Sequence, residues 1–322
     1  MFKILLMSLF LFISNTCYAS SIYVVVHSAA GNGADLQARV VAKHLPKHLP
    51  PNTSVGVINM PGAGGLTMAN WLYNVADPNT NIAFLNVNSD VILDGILKEP
   101  SVKYDIAKFK WLFSAEDGDD NVFVLWANNS RGLTNIDKMI VDNDYVIGNP
   151  GPNNVQTYIL KDIVGVKSKL IFGYKNIITA LQINEIDARF GSLLNAKIRF
   201  PEWFKEGNQI RPILQVGSPK RHPILPDVPN AREYLKTPTQ TKILEYYEKN
   251  VRLARLVFGS PKMSDETVKM FADAAVKLEK DPEFIQDANK LEMGVDFIQY
   301  QETNQLVKDI LLTDKELLRS LK

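Results

Sequence analysis

The chain of 322 residues contains one cysteine, Cys17, and four histidines. Cys17 falls inside the apolar leader described below, so the mature chain has no cysteine. Disulfides, thiolate metal sites and a cysteine nucleophile are therefore excluded. An excess of either charge is also missing: 36 Lys and Arg stand against 35 Asp and Glu, and loss of Lys3 with the leader leaves 35 against 35. Balanced charge gives no electrostatic footprint for nucleic acid or for an anionic membrane surface. Beyond the leader, no apolar run approaches the roughly 20 residues needed to span a bilayer. Nucleotide and hydrolase signatures are absent as well. No Gly-Lys-Ser/Thr closes a P-loop, and there is no Gly-x-Ser-x-Gly elbow. Neither a repeat of solenoid period nor a low-complexity tract is visible.

What is present begins with an export signal. Lys3 supplies a basic start, Ile4 to Ile13 form an apolar run broken only by Ser8, and Cys17-Tyr18-Ala19 offers small residues at the cleavage-determining positions. Residues 1–19 read as a signal peptide cut after Ala19, too short for a membrane anchor. Ser14-Asn15-Thr16 lacks the leucine and small residue that precede a lipoprotein cysteine. An exported chain of this size without disulfides fits a bacterial periplasm, where a large core suffices for stability.

The mature length, about 300 residues, is long for one core, so two lobes are expected. Strands are predicted at Ile22–His27, Val55–Ile58, Asn81–Asn86, Val122–Trp126, Tyr145–Gly148, Lys169–Phe172, Ala188–Phe190 and Ile213–Val216. Helical patterns lie between them at Leu36–Leu45, Leu66–Asn74, Asn135–Asp142, Asn154–Val164 and Ile177–Ile183. This alternation predicts parallel βαβ units covered by helices, an α/β architecture. Pro219, Pro223, Pro226 and Pro229 mark a crossing between elements. From Tyr234 onward strand signals nearly vanish. Ser264 reads as the N-cap of a helix to Lys280, Asp281-Pro282 restarts a helix, and a last one is predicted from Thr303 to Leu321.

Two of the predicted strands run through glycine into a helix. Ile22–His27 leads into Ser28-Ala29-Ala30-Gly31-Asn32-Gly33-Ala34-Asp35, and Val55–Ile58 into Asn59-Met60-Pro61-Gly62-Ala63-Gly64-Gly65. A strand that turns on glycine into a helix aims free N–H groups and the positive end of the dipole at one spot, which favours an anion. The plain alternative is that these glycines only make tight turns. A dinucleotide fingerprint fails, because Leu36 stands where its third glycine belongs.

No catalytic constellation emerges. His44 and His48 share the i, i+4 spacing of a zinc pair, but Pro46 lies between them and no acid sits where a metalloprotease base would. They are expected at a solvated helix end. His27 ends a strand, where a cleft-facing position and a buried, hydrogen-bonded one are both open. Ser28 and Ser89 lie at strand ends without an aligned base, and Asp117, Asp119 and Asp120 read as a solvated loop. No metal or cofactor is expected. A third strand–loop–helix unit, Asn149-Pro150-Gly151-Pro152-Asn153-Asn154, falls mid-chain. If two lobes face each other, it opposes the first two as the second jaw of a clamp, with Asn153 or Asn154 as helix cap.

The run Asn59-Met60-Pro61-Gly62-Ala63-Gly64-Gly65, followed by Ala69-Asn70-Trp71-Leu72-Tyr73-Asn74-Val75-Ala76, resembles the extracytoplasmic solute receptors of tripartite tricarboxylate transporters, the Bug or TctC family. Supporting matches are Asp35 with Ala38-Arg39, Tyr104-Asp105, Tyr174-Lys175 and Leu225-Pro226-Asp227-Val228-Pro229. The resemblance covers the whole mature chain. It implies a two-lobed fold like type II periplasmic binding proteins, each lobe a mainly parallel sheet flanked by helices, with the C-terminal helices packed on the first lobe. Lobe 1 is expected to comprise 20–111 and 228–322, and lobe 2 112–227. The implied function is capture of a small organic carboxylate between the lobes, by backbone N–H groups, hydroxyls and water, and delivery to integral membrane subunits. The receptor is expected to act as a monomer without catalysis.

The implied ligand-binding positions on lobe 1 are Ser28, Ala30, Gly31, Asn32, Gly33 and Asp35, then Gly64, Gly65 and Thr67, then Asn88 and Ser89. On lobe 2 they are Asn149, Gly151, Asn153, Asn154 and Ser192. The chain departs from the family in its first loop, which lacks the usual prolines and triple glycine, and in a mid-chain loop without hydroxyls. Gly191 stands where an aspartate is common, which counts against recognition of an amino-acid ammonium group. Arg189, two residues earlier, faces either the cleft or an ion pair elsewhere. Two other readings stay open: an exported α/β enzyme acting on an anionic substrate, and a solute sensor docking on a membrane kinase.

Overall fold

The computed structural model describes residues 21–86, 91–116, 122–149, 154–174, 176–291 and 293–321. The signal peptide and positions 88–90, 117–120, 150–153 and 175 of the expectations above lie outside the described residues. Among those described, no helix is long and apolar enough to cross a membrane.

Among the described residues, ten strands form two sheets of identical topology: β1 (Ser21–Val26), β2 (Ser54–Asn59), β3 (Asn81–Asn86), β4 (Lys110–Ser114), β5 (Phe123–Asn128), β6 (Val146–Asn149), β7 (Lys169–Phe172), β8 (Ala188–Ser192), β9 (Ile210–Val216) and β10 (Arg255–Gly259). The first sheet has the order β2-β1-β3-β10-β4 and the second β7-β6-β8-β5-β9. In each, three strands joined by helical crossovers run parallel, and one strand arriving from the other sheet lies antiparallel to both its neighbours. The βαβ alternation therefore accounts for the parallel half of each sheet. The mixed half comes from β5 and β10, which follow chain crossings rather than helical crossovers.

β4 and β10 carry no alternation to read. In β4, positions 111–114 are all buried, and in β10 positions 256–259 are. A strand covered on both faces is a short apolar run that periodicity cannot tell from helix. The last predicted helix is in fact two, Tyr300–Leu311 and Lys315–Arg319. Asp314 ends the run between them, because its carboxylate caps the second helix by accepting from the Glu316 N–H.

Helices cover both faces of both sheets. Gly33–His44, Asp265–Leu278 and Pro282–Lys290 bury one face of the first sheet, with Val41, Phe271 and Phe284 in the core. Leu66–Asn74, Val91–Leu97, Tyr300–Leu311 and Lys315–Arg319 bury the other, around Leu72, Ile96 and Ile310. The C-terminal helices thus pack on the first sheet. Ser264 and Asp281 cap their helices as the sequence suggests. His44 and His48 depart from the solvated helix end. Pro46 turns the chain into a short 3-10 segment, Leu45–His48, that packs the rings against the helix Pro282–Lys290. His44 is 1% exposed, with Nε2 3.0 Å from Asp287, and His48 Nε2 lies 3.2 Å from Asp281.

One helix, Pro238–Arg252, joins the two cores. Ile243 and Tyr246 belong to the first-sheet core, while Leu244, Tyr247 and Val251 belong to that of the second. The Tyr247 hydroxyl accepts from Gln156 Nε2 at 2.8 Å in a buried contact with the helix that opens at Asn154. Burial holds the Tyr247 phenol well above its ordinary pKa, so it stays neutral. Tyr247→Phe is expected to lower the unfolding free energy by about 1–2 kcal/mol. Urea titration checks this; an unchanged midpoint would show the bond to be idle.

Candidate functional site

The topology brings the glycine loops together. β1, β2 and β3 are parallel, so the segments after them leave one edge of the first sheet, and the segments after β6, β7 and β8 likewise share one edge of the second. β4 ends at that edge of the first sheet and leads to β5, whose Phe123 pairs with Ser192 at the corresponding edge of the second. The return runs from Val216, beside Phe123, to Arg255, which pairs with Asn86 at the end of β3. Both crossings therefore join carboxyl edge to carboxyl edge, and the loops of the two sheets face one junction. Crevices outside the carboxyl ends of parallel strands are where α/β sheets bind ligands.

In the first loop, Gly31 takes φ +83° and Asn32 caps the helix Gly33–His44, its side chain accepting from the Asp35 N–H at 3.1 Å. Asp35 is 1% exposed and its carboxylate points inward. Oδ2 accepts from the Gly31 N–H at 2.8 Å and from Arg39 Nε at 3.0 Å, while Oδ1 accepts from Asn59 Nδ2 at 2.8 Å. Asn59 Nδ2 also donates to the Ser28 carbonyl at 2.9 Å, and Arg39 donates to Asn59 Oδ1 at 3.1 Å. The Arg39 hydrogen bond is the main force holding the Asp35 carboxyl down at about 2, against burial, with the Gly31 N–H and Asn59 helping. Asp35 thus ties the first loop to the end of β2. It already occupies the positive end of this helix.

The second loop is built differently. Gly62, Ala63, Gly64 and Gly65 all have positive φ, and the Gly65 N–H closes the turn on the Gly62 carbonyl at 3.0 Å. Among the described residues, no side chain caps the start of the helix Leu66–Asn74. Gly62, Gly64 and Thr67 are exposed and Gly65 is buried. Of the two loops, this one has the helix terminus open to an incoming anion.

On the second sheet, Asn149 ends β6 and is 4% exposed, and its buried Nδ2 has no hydrogen-bond partner among the described residues. Its carbonyl accepts from Gly173 at 3.1 Å, holding the segment after β7 beside it. Asn154 opens the next helix, which widens into a π-helical stretch, Ile159–Val164. Ser192 caps the helix Leu193–Arg199, its Oγ accepting from the Asn195 N–H at 3.3 Å. Arg189 lies one strand position beside Gly148. Asn88, Ser89, Gly151 and Asn153 are outside the described residues. Ser28 Oγ, at the first loop, is buried without a hydrogen-bond partner among the described residues. Ala30, Gly31, Asn32 and Gly33 are exposed.

The junction holds two groups that sequence reasoning passed over, Arg255 and Glu116, beside His27. Arg255 opens β10, where its Nη1 donates to Asn86 Oδ1 at 2.6 Å and its Nε faces Glu116 at 3.5 Å. Glu116 is 3% exposed, and burial pushes its carboxyl up while Arg255 and the Gly294 N–H pull it back. His27 is partly buried, with Nδ1 3.4 Å from the Phe84 carbonyl. Burial lowers its pKa and Arg255 adds to that, so the ring is neutral at neutral pH. Nothing local marks Arg255 or Glu116 in the sequence, since they are 139 positions apart and meet only through β10. Among the described residues no cluster of three or more His, Cys, Asp or Glu side chains is placed to hold a metal ion.

Solved structures match nearly the whole chain, the following three among them. A TctC solute binding protein from Polaromonas, without ligand, has 17% identity and a TM-score of 0.67, covering 95% of this chain and 100% of its own. The periplasmic binding protein BugD has 16% identity and a TM-score of 0.65, covering 94% of this chain and 97% of its own. MatC from Rhodopseudomonas palustris, with bound malate, has 15% identity and a TM-score of 0.65, covering 93% and 99%. The fold is that of these solute-binding proteins. No protein-family model matches the chain, and no curated protein sequence does.

Proposed function

We propose that the chain is a periplasmic receptor of the Bug or TctC type that captures a small organic carboxylate between two lobes and hands it to the membrane subunits of a tripartite tricarboxylate-type transporter. The observation that carries this reading is the meeting of two carboxyl edges, one of them bearing the uncapped helix Leu66–Asn74 behind a turn of four positive-φ residues. That arrangement favours an anion and needs no side-chain cation. The shared fold with proteins named as solute-binding, one of them holding malate, supports it. So does the lack of a nucleophile–base pair in the sequence. The lobes are taken as 20–111 with 228–322, and 112–227, and the receptor as a monomer exported by cleavage after Ala19.

A ligand that bridges both edges favours the closed arrangement through contacts that only that state offers, and the transporter would read that state. Thermal-shift and calorimetric screening of mono-, di- and tricarboxylates tests this. At about 100-fold saturation a true ligand adds roughly 2.7 kcal/mol to the stability. Stabilisation by no acid in a broad library would overturn the reading.

A further inference from the structure

Among the described residues, Arg189 is a cation without a counter-charge. Of the described arginines, Arg39, Arg131, Arg221, Arg232, Arg252, Arg255 and Arg319 each face a carboxylate. Arg189 has none among the described residues. Its one hydrogen bond there runs from Nε to the neighbouring Phe190 carbonyl at 2.9 Å, which leaves both Nη groups without an acceptor. Arg211 also lacks a carboxylate, but it sits near the start of β9, at the opposite edge of the sheet.

The position of the Arg189 guanidinium is set by glycine. Arg189 lies between Gly148 of β6 and Trp126 of β5. A Cβ placed on Gly191 would stand 3.1 Å from its Nη2 and 3.3 Å from its Cζ. The guanidinium therefore fills the space a side chain at 191 would take, and it reaches along the strand toward the carboxyl edge where Ser192 and Asn149 end their strands. Any larger residue at 191 would push it away. Its surroundings oppose the charge: burial, and then repulsion from Arg199, bring the guanidinium down to about 10. A partly desolvated cation facing another cation costs stability unless an anion arrives to pair with it.

We infer that Arg189 is the counter-charge for a second anionic group of the ligand, so that the site selects acids carrying two negative charges over their monoanionic analogues. One carboxylate sits against the Gly62–Thr67 turn, and the other pairs with the Arg189 fork on the opposite edge. This rests on the carboxylate-receptor reading and sharpens it. A fork of N–H donors suits a planar carboxylate bidentately, which a lysine does not reproduce.

The test is calorimetric titration of the mature protein with chain-matched pairs: succinate with butyrate, glutarate with pentanoate, adipate with hexanoate. Wild type, Arg189→Gln and Arg189→Lys are compared, with melting temperatures taken without ligand. At least one diacid is expected to bind wild type more tightly than its monoacid. Arg189→Gln should weaken that diacid by about 10- to 100-fold and leave monoacids unchanged. Arg189→Lys should recover part of the loss. Without ligand, Arg189→Gln should melt at or above the wild-type temperature, because it removes an unpaired charge; a merely structural arginine would lower it. Equal binding of monoacid and diacid by wild type, full diacid affinity in Arg189→Gln, or a large drop in its ligand-free melting temperature would overturn the role of Arg189. Binding of no acid by wild type would instead overturn the receptor reading beneath it.

Discussion

Asp35→Ala is expected to lower the unfolding free energy by about 2–3 kcal/mol, the range for losing hydrogen bonds to a charged acceptor. The carboxylate is buried and accepts from a backbone N–H, a guanidinium and an amide at once. Its loss releases the first loop from β2, so binding of the proposed acid ligand should fall along with stability. Arg39→Ala should cost much less. Arg39 is 48% exposed and its absence leaves Asp35 with two neutral donors. A double-mutant cycle on the pair, followed by urea titration, measures the coupling. Equal costs for the two single substitutions would show that the carboxylate is not the centre of the network.

The same group sets a pH dependence. The folded pKa of Asp35, at about 2, lies below that of an unfolded aspartate, so its contribution is complete above about pH 4 and is lost as the pH falls toward 2. Asp281 behaves alike. Burial pushes it up, but Lys47, the Glu283 and Phe284 N–H groups and His48 together bring it to about 2. Stability should therefore fall between about pH 4 and 2 in wild type, and less steeply in Asp35→Ala. Parallel curves for the two proteins would contradict the assignment.

Gly62→Ala is the second substitution with a large expected effect. Gly62 has φ +138°, which side-chain-bearing residues rarely adopt, and an added Cβ would come within 2.7 Å of Thr67 Oγ1. The backbone strain alone costs about 1–3 kcal/mol. The Thr67 hydroxyl can rotate away, but the turn has to shift, and with it the opening in front of the helix Leu66–Asn74. Ligand affinity is thus expected to fall more than stability does. Gly207→Ala is the control: its φ is +78°, with nothing within 4 Å of an added Cβ. That change should cost stability and leave ligand affinity alone. Unchanged affinity in Gly62→Ala would remove the turn from the site.

The most legible parts of the sequence were the strand–glycine–helix units, because a period-switching pattern broken by glycine has few structural meanings. The matches at Asp35, Arg39 and Asn59 fall together in the structure, as braces of the first loop. Likewise Gln215 donates to the Leu225 and Val228 carbonyls, so the Leu225–Pro229 run is a clamped crossing. The strands β4 and β10 were opaque because both are covered on each face and lose the period that marks a strand. The Glu116–Arg255 pair was opaque for another reason: it exists only where a returning strand meets a departing one. Arg189 was visible as a charge, but its lack of a carboxylate among the described residues is a property of the packed sheet.

The central claim is that an acid is held between the carboxyl edges of the two sheets. A crystal structure of the mature protein grown with the best acid from the screen tests it most directly. The expected result is a carboxylate within hydrogen-bonding distance of N–H groups of the Gly62–Thr67 turn, with the rest of the molecule reaching the second sheet. The same acid bound elsewhere on the protein, with that turn empty, would contradict it.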